Sequence, residues 1–209
     1  MTPAVRIVVV DYGGGNLSSV VKAIAAAGGA PRVGTEPRDL AGAQAIVIPG
    51  VGHFDVTAGL DGMRPAIRAR VSAGVPLLGI CLGMQWLFEG SVEAPERSGL
   101  GALPGFCTRL TARAGVKVPH VGWNTIESTG VRSRLLASVP NGASAYFTHS
   151  YVAPDGTATV ARTSHGMPFA SVVERGGVCG TQFHPEKSGG VGLSILASFV
   201  NIAREASRC

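Results

Sequence analysis

Charge, aromatic rings and paired cysteines are all scarce in this chain. Asp, Glu, Lys and Arg make up only 15% of its 209 residues and the net charge is a modest +5. Neither a self-repelling disordered tail nor a nucleic-acid-coating surface is therefore expected. The basic residues are scattered singly except Arg64, Arg68 and Arg70, whose spacing fits one solvated helix face. The four cysteines, Cys81, Cys107, Cys179 and Cys209, form no CxxC pair, which argues against a zinc ribbon or a disulfide framework and leaves them as thiols. No stretch approaches the roughly 18 apolar residues of a membrane helix. The apolar run 7–10 stops at Asp11 and is too short for a signal-peptide core, so a cytoplasmic protein with no membrane role is expected. Repeats, linkers and low-complexity tracts are also missing, and one domain spanning 1–209 is the reading.

What is present is a strong α/β pattern, since 45% of residues are hydrophobic and 30 are glycine. Apolar runs at 5–10, 45–48 and 75–80 read as buried strands. Leu17, Val20, Val21 and Ile24 recur at helical spacing behind a potential cap, Asn16, and stop at Gly28-Gly29. Further helices are expected at 63–71, 82–89 and 190–206. Alternation of strand and helix over the first 90 residues implies a mostly parallel sheet with helices on both faces. The second half is richer in short β segments, at 106–111, 124–127, 145–151, 157–161, 170–173 and 178–182. The fold expected is an open, parallel or mixed α/β sheet.

Chemistry concentrates in "GICLGMQ", residues 79–85. An isolated cysteine is usually a small buried hydrophobe, but Gly79-x-Cys81-x-Gly83 between a buried strand and a helix is the pattern of a nucleophile elbow with sulfur in place of oxygen. The start of a helix at Leu82 would also favour thiolate. A thiolate needs a proton acceptor, and five histidines are available: His53, His120, His149, His165 and His184. The first four read as ordinary surface or hydrogen-bonded residues. His184 lies in Gln182-Phe183-His184-Pro185-Glu186, where Pro185 favours an extended backbone that would set Glu186 on the face of the imidazole. Cys81, His184 and Glu186 then form a nucleophile–base–orienter triad. An oxyanion hole would take the N–H of Leu82 and a second donor from the turn Pro49-Gly50-Val51-Gly52. Gln85, one helical turn after Cys81, can face the same pocket. The triple glycine after Asp11-Tyr12 lacks the GK[ST] ending and the GxGxxG spacing of a phosphate loop.

The turn PGVG, the elbow GICLGMQ and the segment HPE, in that order, resemble the class I glutamine amidotransferases. Four further stretches resemble the glutaminase subunits of imidazole glycerol phosphate synthases: Asp11-Tyr12-Gly13-Gly14-Gly15-Asn16, Pro119-His120-Val121-Gly122-Trp123-Asn124, Tyr146-Phe147-Thr148-His149-Ser150-Tyr151 and His184-Pro185-Glu186-Lys187-Ser188. That resemblance implies hydrolysis of glutamine through a glutamyl thioester, with Gly50, Val51, Gly52 and Leu82 at the oxyanion and Gln85, Glu93, Ser150, Tyr151 and Tyr146 around the substrate. An acid after a helix, such as Glu93, is more often simply solvated. The resemblance also implies a heterodimeric (β/α)8-barrel cyclase partner met through Asn16, His120, Trp123 and Lys187, and no cofactor or metal. By composition Trp123 fits a core position equally well. Thr148 stands where the pattern has an apolar residue and is expected to touch no catalytic atom. Other readings are a glutaminase of another pathway, such as vitamin B6, anthranilate or guanylate synthesis, a stand-alone cysteine hydrolase or chaperone, and a scaffold with a vestigial site.

Overall fold

The computed structural model describes residues 4–112 and 116–208. In chain order the elements are β1 (Val5–Val10), α1 (Leu17–Ala26), β2 (Gly29–Gly34), β3 (Ala45–Ile48), α2 (Arg64–Ser72), β4 (Leu77–Ile80), α3 (Leu82–Trp86), β5 (Gly90–Ser91), β6 (Phe106–Arg109), β7 (His120–Ser128), β8 (Ala143–His149), β9 (Tyr151–Val152), β10 (Thr159–Ser164), β11 (Pro168–Arg175), β12 (Val178–Thr181) and α4 (Gly189–Ala206). Nine strands form one sheet in the order β2-β1-β3-β4-β12-β11-β10-β7-β8, and β5, β6 and β9 form a small second sheet.

The strands from β2 to β12 are parallel, and those from β11 to β8 are antiparallel to their neighbours. Alternate residues of the central strands feed two cores. Ile7, Val9, Val47 and Leu78 pack with Val20 and Ile24 of α1 and Ile195, Leu196 and Phe199 of α4. Val8, Ile46, Ile48 and Leu77 pack on the other face with Ile67 of α2, Trp86, Phe54 and Leu60. Strands covered on both faces read as unbroken apolar runs, which is why β1, β3 and β4 stand out in the sequence.

Several expectations shift. The strand β2, "GAPRVG", has no β-like composition. It forms because its backbone has only to follow β1, and at the sheet edge Pro31 breaks no inner ladder. The helix after Cys81 ends at Trp86 and not at 89, because the chain turns there into the contacts of Leu87 and Phe88 with the loop at 99–103. The strand expected at 124–127 begins at His120. Arg64, Arg68 and Arg70 are not merely a solvated face: their guanidinium groups donate to the carbonyls of Ser98, Leu100 and Ala43, tying α2 to neighbouring loops. Cys81, Cys107 and Cys179 are free thiols, and Cys209 lies outside the described residues.

The decisive feature is the pairing of β12 with β4. These strands are separated in the chain by everything from α3 to β11 yet run parallel in register, Ile80 opposite Thr181. Cys81 N–H donates to Thr181 O at 2.7 Å. The segments that leave the two strands therefore emerge at the same carboxyl edge, where open α/β sheets place their sites.

Candidate active site

Cys81 has φ 53° and ψ −106°, the one positive φ outside glycine among the described residues. Such a conformation costs roughly 1–3 kcal/mol and persists only where its surroundings enforce it. Here the flanking glycines make it possible. A Cβ on Gly79 would meet Gly83 O at 2.5 Å, and one on Gly83 would collide with the Ile48 carbonyl of β3. α3 is too short to supply much dipole, so the expected help from a helix N-terminus is small.

The charge partner is His184. Its Nδ1 lies 2.8 Å from Glu186 Oε1, and the two side chains are only 2% and 3% exposed. They meet for a different reason than strand alternation. Pro185 starts a 3-10 turn, Pro185–Lys187, closed by Lys187 N–H and Ser188 O–H donating to the His184 carbonyl, and this turn brings Glu186 back over the ring. Burial by itself lowers the imidazole pKa. Hydrogen bonding and charge from Cys81 and Glu186 outweigh it and push the value up to about 9. Nε2 is buried without a well-formed partner; such bonds are commonly loose before substrate tightens the site.

Around the thiol lies a cavity of about 260 Å³ lined by Gly52, Cys81, Leu82, Gln85, Glu93, Pro119, Thr148, His149, Ser150 and Tyr151. Its volume suits one small amino acid. Gln85 is 3% exposed, and its Nε2 donates to Tyr151 O at 2.8 Å and to Gln182 Oε1 at 3.2 Å. Glu93 is not merely solvated, for its Oε2 accepts from Phe54 N–H at 2.9 Å. Ser150 lines the wall, while its carbonyl accepts from Leu110 N–H.

Other residues lie elsewhere. Tyr146 is not on the cavity wall. Its ring is edge-on to Trp123 and lies beneath Lys187 Nζ, with centroid distances of 6.1 and 5.9 Å. Trp123, 60% exposed, belongs to this outer face and not to the core. Asn16 caps α1 by accepting from Ser19 N–H. His120 is buried, away from that surface. Its Nδ1 pairs with His149 Nε2 at 3.0 Å, its Nε2 with Asn124 at 3.2 Å, and His149 Nδ1 with Tyr151 O at 3.0 Å. With Nδ1 of His149 donating to a carbonyl, the tautomers are fixed: Asn124 donates to His120, and His120 to His149. Burial lowers the pKa of His120 to about 4 and of His149 to about 3, so both rings are neutral near pH 7.

The N–H groups expected to serve an oxyanion are already engaged. Leu82 N–H donates to Gly50 O at 3.3 Å, and Val51 N–H to Gly14 O at 3.2 Å. Gly52, with φ +102°, borders the cavity.

Four contributors are given no part in the site by the sequence: Thr148 is expected to touch no catalytic atom, His149 reads as an ordinary histidine, and Gln182 and Phe54 have no role assigned. Gln182 Nε2 lies 3.6 Å from Cys81 Sγ; its place two residues before His184 on an extended segment was a usable signal. Thr148 does touch the nucleophile, through its carbonyl 3.8 Å from Sγ, a backbone contact blind to side-chain identity. His149 and the Phe54 N–H carried no sequence signal.

The model of the class I glutamine amidotransferase family matches residues 8–202. The chain belongs to that family. This amidotransferase is 43% identical over 210 residues to "Imidazole glycerol phosphate synthase subunit HisH" of a Synechococcus strain, covering 98% of this chain and 96% of that protein. It is 41% identical over 197 residues to the protein of the same name from Streptococcus gordonii, covering 92% and 94%. Among solved structures, PurLQS from Thermotoga maritima matches with a TM-score of 0.75 at 20% identity, over 95% of this chain and 99% of that one, a likeness of fold. The amidotransferase is thus an α/β enzyme with the architecture expected for its family, and among the described residues no helix is long and apolar enough to cross a membrane.

Proposed function

We propose that this amidotransferase is the glutaminase subunit of an imidazole glycerol phosphate synthase, acting in the cytoplasm in histidine biosynthesis. His184 holds the proton of Cys81, and the thiolate attacks the side-chain carboxamide carbon of glutamine. Charge builds on the former carbonyl oxygen, and His184 gives its proton to the departing nitrogen. Ammonia leaves, and a glutamyl thioester remains. Water, deprotonated by His184, then releases glutamate and restores the thiol. Glu186 holds the imidazole tautomer and favours imidazolium. Gln85, Glu93, Ser150 and Tyr151 shape the substrate pocket. The observation that carries this reading is the strained Cys81 backbone level with the buried His184–Glu186 pair at the ends of β4 and β12.

The hole for the oxyanion requires a peptide to turn over. In a planar trans peptide C=O and N–H point opposite ways. Rotation of the Gly50–Val51 plane would free Leu82 N–H from Gly50 O and Val51 N–H from Gly14 O together. Docking of a (β/α)8-barrel cyclase against the face carrying Trp123, Tyr146 and Lys187, with Asn16 at its margin, would drive that rotation and receive the ammonia before it is protonated in bulk water.

Co-purification with the cyclase subunit, followed by glutamine-dependent turnover, tests the proposal. Glutaminase activity should rise sharply only with the barrel and its nucleotide. A rise with a partner of another pathway, or none with this one, rejects it.

A further inference from the structure

Tyr12 has a hydroxyl that the fold leaves idle. Its Oη is buried and has no hydrogen-bond partner, which for a buried donor costs on the order of 1–3 kcal/mol. Burial first, and then the charge on Cys81, push its pKa up, so the hydroxyl keeps its proton and remains a donor.

Its position is specific. A Cβ added to Gly50 would fall on Tyr12 Oη, and one added to Gly14 would meet the same ring at Cε2 (2.5 Å) and Cζ (2.8 Å). The side chain therefore sits where the glycine turn after Asp11 and the PGVG turn approach, its hydroxyl against Gly50 and its ring against Gly14, whose carbonyl accepts from Val51 N–H. When the Gly50–Val51 peptide turns over, the Gly50 carbonyl swings to the side now held by Val51 N–H. There it would face the Gly14 carbonyl, acceptor against acceptor, unless a donor stands between them.

We propose that Tyr12 is a positioning residue for the oxyanion hole: its hydroxyl donates to the Gly50 carbonyl in the turned state and holds Val51 N–H toward the oxyanion. The idle donor of the resting state then gains its partner only in the active one. This also gives the Gly13-Gly14-Gly15 turn a role, as the floor beneath PGVG, with Gly15 facing Gly50 at 3.6 Å from an added Cβ. The inference rests on the glutaminase reading above.

Tyr12→Phe removes only the hydroxyl. In the complex with the cyclase subunit, kcat for glutamine hydrolysis should fall about fivefold to tenfold, the worth of one neutral hydrogen bond, with KM changed by less than about twofold. Alkylation of Cys81 by iodoacetamide needs a thiolate and no oxyanion hole, so its rate should hold, and the thermal midpoint of the variant should equal or exceed that of the unsubstituted chain. An unchanged kcat, or alkylation and kcat falling together, overturns the proposal. Should Tyr12→Phe not fold, Gly14→Ala, whose added methyl displaces the ring it would meet at Cε2 and Cζ, must show the same split between turnover and alkylation. If the unsubstituted complex hydrolyses no glutamine, the glutaminase reading itself fails, and this inference with it.

Discussion

Glu186→Gln removes a charge while keeping the shape and one acceptor beside His184. The imidazole stands at about 9 against an ordinary 6.5, despite the opposing effect of burial, because Cys81 and Glu186 favour its charged form. Between those pH values the folded chain keeps a proton that the unfolded chain releases. The contribution is therefore complete below pH 6.5 and lost as pH rises through about 9. At 1.36 kcal/mol per unit it is on the order of 3 kcal/mol, with little screening because the pair is only 2% and 3% exposed. The Cys81 share survives in the variant, so Glu186→Gln should cost roughly 1–2 kcal/mol near pH 6. Toward pH 9.5 the imidazole is mostly neutral in both proteins, and the variant no longer buries a carboxylate whose Oε2 lacks a partner. The difference should then vanish or change sign. Urea midpoints for both chains from pH 6 to 9.5 give the curve. The buried thiols Cys107 and Cys179, held high, and His120 and His149, held low, titrate alike in both and cancel. A difference that is flat with pH, or that grows toward the alkaline end, would refute the coupling.

Cys81→Ala should abolish glutamine-dependent turnover in the complex while added ammonia still feeds the cyclase; residual glutamine hydrolysis above about one part in a thousand would place the nucleophile elsewhere. Gly83→Ala should destabilise the chain by about 3 kcal/mol or more, since the added methyl meets the Ile48 carbonyl at the end of the inner strand β3, and a melting point within about a degree of the parent would contradict that packing. Glu93→Gln should raise KM for glutamine about tenfold with kcat nearly unchanged if the carboxylate binds the substrate ammonium, a split that steady-state kinetics reads directly. His120→Phe should break the hydrogen-bond path from Asn124 to Tyr151 and lower glutaminase kcat/KM by about tenfold, leaving ammonia-fed cyclisation intact.

The elements that announce themselves are those with continuous apolar runs or a cap. β1, β3 and β4 are buried on two faces, and α1 starts at Asn16 and carries Val20 and Ile24 inward. β2 does not announce itself, because its partner and not its composition makes it a strand. The outer placement of Tyr146 and the inner placement of His120 were equally hidden. Both lie on the pair β7 and β8, whose alternation is legible but whose inward side depends on what packs against it.

By itself the sequence determined the elbow. Glycines at 79 and 83 around a cysteine, between an apolar strand and a helix, leave few other uses for that sulfur, whereas Pro185 points to an extended backbone and only the structure shows the 3-10 turn that carries Glu186 back over His184. Only the tertiary structure decided that Cys81 and His184 meet. Nothing local says that β12 will add beside β4 in parallel register, a pairing made over about a hundred residues of separation and held by two cores on opposite faces of the sheet. Backbone commitments are just as non-local: that Val51 and Leu82 N–H are already engaged, and that Tyr12 waits unpaired beside them, depends on three loops converging at one sheet edge.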